Sequence, residues 1–239
     1  MRNLRTVAIL CAVLLATTTT AWGGLIYTGT LQVPVLSGSP GLAGTGNWVA
    51  PSPGTPITTL SWTVSRDSEN DPWLYCYDFS TTAQGGLSHI VIEVSVPTED
   101  SPGFTLADVV SGSASASFEL GWANSANGNP EIPGPIYGLK FPGSAQTVDQ
   151  ICFESYKEPV WGDFYAKDGA AGGQGINTAW NAGFLDPDPT APYFADPADM
   201  NFHILRPDTR SGGGDDPIPE PASLGLIGVA LLATRRRRS

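Results

Sequence analysis

The sequence predicts an all-β protein: a β-sandwich, jelly-roll-like, of about nine strands. It is flanked by an N-terminal signal peptide and a C-terminal membrane helix. Three observations predict the sandwich. Short stretches alternate apolar and polar residues, the period of a half-buried strand. Turn formers punctuate them, with 28 glycines and 21 prolines in 239 residues. No long stretch between the two ends places apolar residues at helical spacing.

The elements follow in order. Leu25 to Val35 predicts a first strand, and Gly38 to Pro56, rich in glycine and proline, a loop. Leu60, Trp62 and Val64 alternate with Ser61 and Thr63 as a strand. Trp73, Tyr75, Tyr77 and Phe79 share one face of the next, and bulk on its other face predicts a central position. His89 to Val96 alternates most clearly, with His89 and Glu93 on the polar face. Phe104 to Val110 suits one or two helical turns, and Ala114 to Trp122 alternates again. Pro130 to Pro135 reads as a loop; Ile136 to Phe141, Val148 to Tyr156 and Trp161 to Lys167 read as strands. Asp168 to Gly175 is a glycine-rich turn, Asp186 to Asp199 a proline- and aspartate-rich loop, and Phe202 to Arg206 a last short strand. No internal repeat is present, which excludes a solenoid or propeller.

The ends carry different chemistry. Arg2 and Arg5 precede the apolar run Val7 to Ala16, and Ala21-Trp22-Gly23 supplies the small residues of a cleavage site. Residues 1–23 are therefore expected to be a signal peptide, cut by signal peptidase before Gly24. The domain spans 24–210, and 211–218 is a linker rich in glycine and aspartate. With the basic residues of both ends set aside, 6 basic face 22 acidic residues, near −16; the whole chain stands at −11. Such a surface excludes nucleic acid as partner, since phosphate recognition needs clustered Lys and Arg. Cys11 falls within the signal peptide, so Cys76 and Cys152 remain as an even pair in an exported chain and are expected to form a disulfide. Two reduced core cysteines are the alternative.

The tail, 219–239, sets Pro219-Glu220-Pro221 before the uncharged run Ala222 to Thr234 and the block Arg235, Arg236, Arg237 and Arg238. Pro219 and Pro221 resist helix and keep that step extended. The apolar run is short for a bilayer, and Ile218 and the arginine stems lengthen it. The arginines place Ser239 on the cytoplasmic side and the domain outside. These three parts, in this order, resemble a PEP-CTERM sorting signal. The resemblance implies an exported protein, retained in the membrane by its C-terminal helix and then processed by exosortase, a membrane enzyme with a cysteine nucleophile, toward the cell surface or beyond. It also implies that Pro219, Glu220 and Pro221 are the recognition motif and Arg235 to Arg238 the cytoplasmic stop. The stretch from Pro159 to Gly169, with Ala182-Gly183-Phe184 and His203 to Asp208, is similar to segments of uncharacterised PEP-CTERM ectodomains, which have no assigned activity.

Within the domain, several residue sets suggest chemistry. Asp67-Ser68-Glu69-Asn70-Asp71 spaces oxygen ligands as calcium loops do, but lacks the turn glycine and the distal Glu of an EF-hand. Asp186, Asp188, Asp196 and Asp199 form a second acidic group for which calcium is a candidate. Only His89 and His203 exist, so a three-histidine zinc site is excluded and a His-His-carboxylate site needs both. No Gly-x-Ser-x-Gly elbow supports a serine hydrolase. Glu93, Glu119, Glu154 and Asp163 are candidate carboxylates for glycoside cleavage. Among the seven tryptophans, Trp62 and Trp122 fall on apolar faces as core, whereas Trp48, Trp161 and Trp180 border loops as candidate sugar platforms. The leading expectation is a non-enzymatic surface or extracellular-matrix protein without a cofactor. A carbohydrate-binding module, calcium-assisted and directed at extracellular polysaccharide, is the alternative, and a sandwich glycosidase the third reading.

Overall fold

A computed structural model describes residues 24–33, 41–49, 58–99, 101–112, 118–169, 176–196, 200 and 202–208. The expected signal peptide, linker, sorting tail and membrane helix lie outside the described residues. Among those described, thirteen strands form: β1 Leu25–Val33, β2 Leu42–Thr45, β3 Thr58–Arg66, β4 Trp73–Thr81, β5 Leu87–Glu93, β6 Ser111–Gly112, β7 Glu119–Ala123, β8 Ile136–Pro142, β9 Val148–Ser155, β10 Pro159–Gly162, β11 Phe164–Asp168, β12 Thr178–Asn181 and β13 Ile204–Pro207. The helical pieces described are three-residue 3-10 turns, and none is long and apolar enough to cross a membrane.

One sheet runs β1-β3-β4-β9-β6 and a second β2-β12-β11-β5-β8-β7, while β10 and β13 pair as a short ribbon. Their ladders are antiparallel. Tyr75, Tyr77, Phe79 and Phe153 of the first sheet share a single core with Ile90, Ile92, Leu139, Phe141 and Phe164 of the second. Phe141 stacks on Phe153 at 5.4 Å between ring centroids, joining the two sheets. The sheets therefore pack face to face. As the alternation implies, β4 is central to its sheet, and Trp73, Tyr75, Tyr77 and Phe79 are all buried on its inner face. Gly29 sits opposite Trp62 across β1 and β3, and a Cβ there would meet the indole at 1.9 Å. The missing side chain is what makes room for that ring.

The second sheet is buried on both faces. Val91 and Tyr165 project outward and are covered by Ile132 and Phe184, which lie in loops, with Ala123, Ile136 and the half-buried Trp180 beside them. This is why Val91 breaks the alternation of its strand. His89, expected on a polar solvent face, is buried on that side and bonded to Asn129 at 2.8 Å. The Asn129 Oδ1 can only accept, so His89 Nε2 carries the proton. Burial, followed in strength by the opposing Asn129 bond, leaves the His89 pKa below its ordinary value.

Other expectations change as well. The Gly38 to Pro56 loop contains β2 and a 3-10 turn, and Trp48 in that turn is fully buried. Trp48 and Trp161 are core residues, their indole N–H groups donating to Gly85 O (3.2 Å) and Pro192 O (3.3 Å). Trp122 reverses its expected place: it is 51% exposed. It shares the face of the core residues Leu139 and Phe141, stacking edge-on against Tyr137, but β7 is the rim of its sheet. Periodicity identifies the face of a strand, not how far the opposing sheet reaches over it.

The disulfide Cys76–Cys152 is formed. The two cysteines are direct partners across β4 and β9, on the outer face of the first sheet.

Candidate functional site

Trp161 to Lys167 reads as one strand, yet the chain breaks at Asp163. Before it, β10 pairs with β13; after it, β11 pairs with β5 and β12. The break is made by side chains. The Asp163 N–H donates to Glu93 Oε2 at 2.8 Å, and the Phe164 N–H donates to Asn181 Oδ1 at 3.0 Å. Asn181 Nδ2 in turn donates to Asp163 Oδ1 at 2.6 Å. The carboxyl group of Asp163 is thereby held in the interior.

Around it lies a cluster of buried charge. Arg206, on β13, places Nε 3.3 Å from Glu93 Oε2 and donates from Nη2 to Asp188 Oδ2 at 2.9 Å. Gly162 makes room for this, since a Cβ there would lie 1.9 Å from Arg206 Nε and 2.7 Å from Glu93 Oε2. His203 precedes β13 and is fully buried. Its Nδ1 lies 3.0 Å from Met200 O, and a carbonyl only accepts, so Nδ1 carries a proton. Its Nε2 has no hydrogen-bond partner and faces Asp163 Oδ1 at 3.6 Å and Asp188 Oδ1 at 3.7 Å.

The electrostatics follow from dryness. Burial, with help from Glu93 and Asp188 and against the Asn181 bond, pushes the Asp163 carboxyl up to about 8. Burial also raises Glu93, partly offset by Arg206. For Arg206 burial opposes the charge, and Glu93 and Asp188 outweigh it, so its pKa rises. Chemically, the cluster offers one imidazole nitrogen and two carboxylate oxygens that converge within 4.8 Å of one another.

The sequence-predicted residues divide clearly. Of the glycosidase carboxylates, Glu93 and Asp163 meet here, with Glu93 tied to Arg206. Glu119 is exposed and pairs with Lys140 at 3.2 Å, and Glu154 accepts from Ser111 at 2.6 Å on an exposed face. Of the second acidic group, Asp188 joins the cluster; Asp199 lies outside the described residues. The Asp67 to Asp71 stretch is a turn between β3 and β4, with Ser68 Oγ donating to Asp71 at 2.6 Å. Of the histidines, His203 belongs to the cluster and His89 to the Asn129 bond. Sequence reading missed Arg206 and Asn181; the signal for Arg206 was one charge inside an otherwise apolar four-residue strand.

The all-β domain is followed in the sequence by a tail that sets Pro219-Glu220-Pro221, an uncharged run and four arginines in that order. Residues 217–238 match the family model described as the PEP-CTERM protein-sorting motif. The match covers the tail alone: the chain carries a C-terminal PEP-CTERM sorting signal, and that motif implies export, a membrane-anchored C-terminal signal and processing by exosortase. No curated protein and no solved structure gives a match.

Proposed function

We propose that the chain is a non-enzymatic exported protein of the cell surface or extracellular matrix, delivered by signal peptidase at one end and exosortase at the other. The observation that carries this reading is the match of residues 217–238 to the sorting motif. The Cys76–Cys152 disulfide agrees with an oxidising compartment. The non-enzymatic part is favoured because the one pair of candidate carboxylates that meets is already engaged: Asp163 is buried and bonded to Asn181, and Glu93, half-buried, faces Arg206. Truncation after Asp216 is expected to move the protein from the envelope fraction to the periplasm or medium, read by immunoblot of fractionated cells. Unchanged envelope retention would remove the tail's role.

A second reading, a carbohydrate-binding module, is favoured by Trp122, whose exposed ring at the rim of the second sheet stacks on Tyr137 at 5.7 Å. An aromatic face of this kind suits a pyranose ring. A glycan array, with and without chelator, is expected to show binding that Trp122→Ala abolishes; no binding in either condition eliminates it.

A further inference from the structure

We propose that Asp163, Asp188 and His203 form a binding site for one divalent first-row transition cation of the zinc type. The starting point is an unpartnered ring nitrogen. Because Nδ1 of His203 donates to Met200 O, Nε2 is the ring nitrogen left to face the two carboxylates. That atom is buried, without a hydrogen-bond partner, and directed at two carboxylate oxygens. An unpartnered ring nitrogen and two carboxylate oxygens that converge on one point leave a place for one small cation between them.

The distances suit an ion. Zinc binds histidine nitrogen and carboxylate oxygen at about 2.0–2.2 Å, which sets neighbouring ligands about 3.4 Å apart in a tetrahedron. The observed 3.6 and 3.7 Å are a little wider, and a small closure brings the atoms to bonding range. Asp188 lies in the irregular segment after β12 and is 22% exposed at its side chain, which supplies both the slack and the route from solvent. Two of the three ligands are oriented from behind, as ligands in metal sites usually are, and the third is fixed by a neighbouring amide. Met200 O holds the ring of His203 and Arg206 the far oxygen of Asp188, while Asn181 Nδ2 donates to Asp163 Oδ1, the same oxygen that faces His203.

The charge balance points the same way. The guanidinium of Arg206 stands in the field of Glu93, Asp188 and Asp208, so among the described residues of the cluster negative charge exceeds positive. A divalent ion offsets most of that excess. A nitrogen ligand in a nearly closed pocket disfavours calcium, which takes six to eight oxygens.

The test uses the full chain in detergent, carrying Cys11→Ser so that no free thiol competes, stripped with chelator and titrated with ZnCl2. The expected result is one zinc per chain by elemental analysis after gel filtration, with a melting temperature that climbs as zinc is added. CaCl2 is expected to give neither effect. Loss of an outer-shell partner costs about 10–100-fold in affinity, so Asp188→Asn and His203→Gln are each expected to weaken binding more than 100-fold. His89→Gln is expected to leave the stoichiometry at one. If His203→Gln fails to fold, the wild-type titration and Asp188→Asn decide. A wild-type chain that takes up no zinc overturns the proposal. An Asp188→Asn chain with native near-ultraviolet circular dichroism that still binds one zinc overturns it equally.

Discussion

Arg206→Ala is expected to lower folding stability by about 3–5 kcal/mol, the usual cost of breaking a buried ion pair from one side. Arg206 is buried, and it is the cation that faces Glu93 at 3.3 Å and Asp188 at 2.9 Å. Without it, both half-buried carboxylates lose the guanidinium that pairs with them. Urea denaturation in the presence of chelator measures the loss. Arg206→Lys is expected to recover only part of it, because a point charge cannot reproduce a planar fork that spans two carboxylates. The comparison isolates geometry from charge. A loss below about 1 kcal/mol for Arg206→Ala, the range of exposed pairs, would mean that water reaches the cluster.

The second large effect concerns the crosslink. Replacing Cys76 and Cys152 together by serine is expected to cost about 4 kcal/mol, because the bridge spans a sequence separation of 76 and its removal frees the unfolded chain. The folded state loses little. The β4–β9 ladder continues on both sides of the pair, from Trp73↔Ser155 to Ser80↔Val148. The denaturation slope is expected to rise, since an uncrosslinked chain exposes more surface on unfolding. A double variant whose midpoint and slope both match the wild type would show that the bridge constrains nothing that the ladder does not already hold.

How much of this was legible in the sequence depended on where the deciding partner lay. β1, β3, β4, β8 and β9 are long and alternating, and each was readable from its own residues. β2 lies in a glycine-rich stretch, and β12, Thr178-Ala179-Trp180-Asn181, has too few bulky residues to announce a strand. Both are added to the sheet by neighbours more than a hundred residues apart from one another. The division of Trp161 to Lys167 into β10 and β11 was hidden for the same reason. The side-chain pattern runs on unbroken, and the interruption is imposed by the carboxylate of Glu93 and the amide of Asn181. The buried cluster was legible only in pieces. Glu93 and Asp163 stood among possible sugar-cleaving acids, Asp188 among loop aspartates and His203 among isolated histidines. What joins them is Arg206, whose charge looks like the end of a surface strand until the fold encloses it.

The position of β13 carries a mechanical consequence. It is the last described strand, ending at Pro207, and the sorting motif begins at 217. The fourteen residues between Pro207 and the uncharged run at Ala222 reach at most about 50 Å when fully stretched, so the domain stays near its anchor. Any drag on the domain while it hangs from that leash enters through β13 and is resisted where Arg206 grips Glu93 and Asp188, deep in the body of the fold.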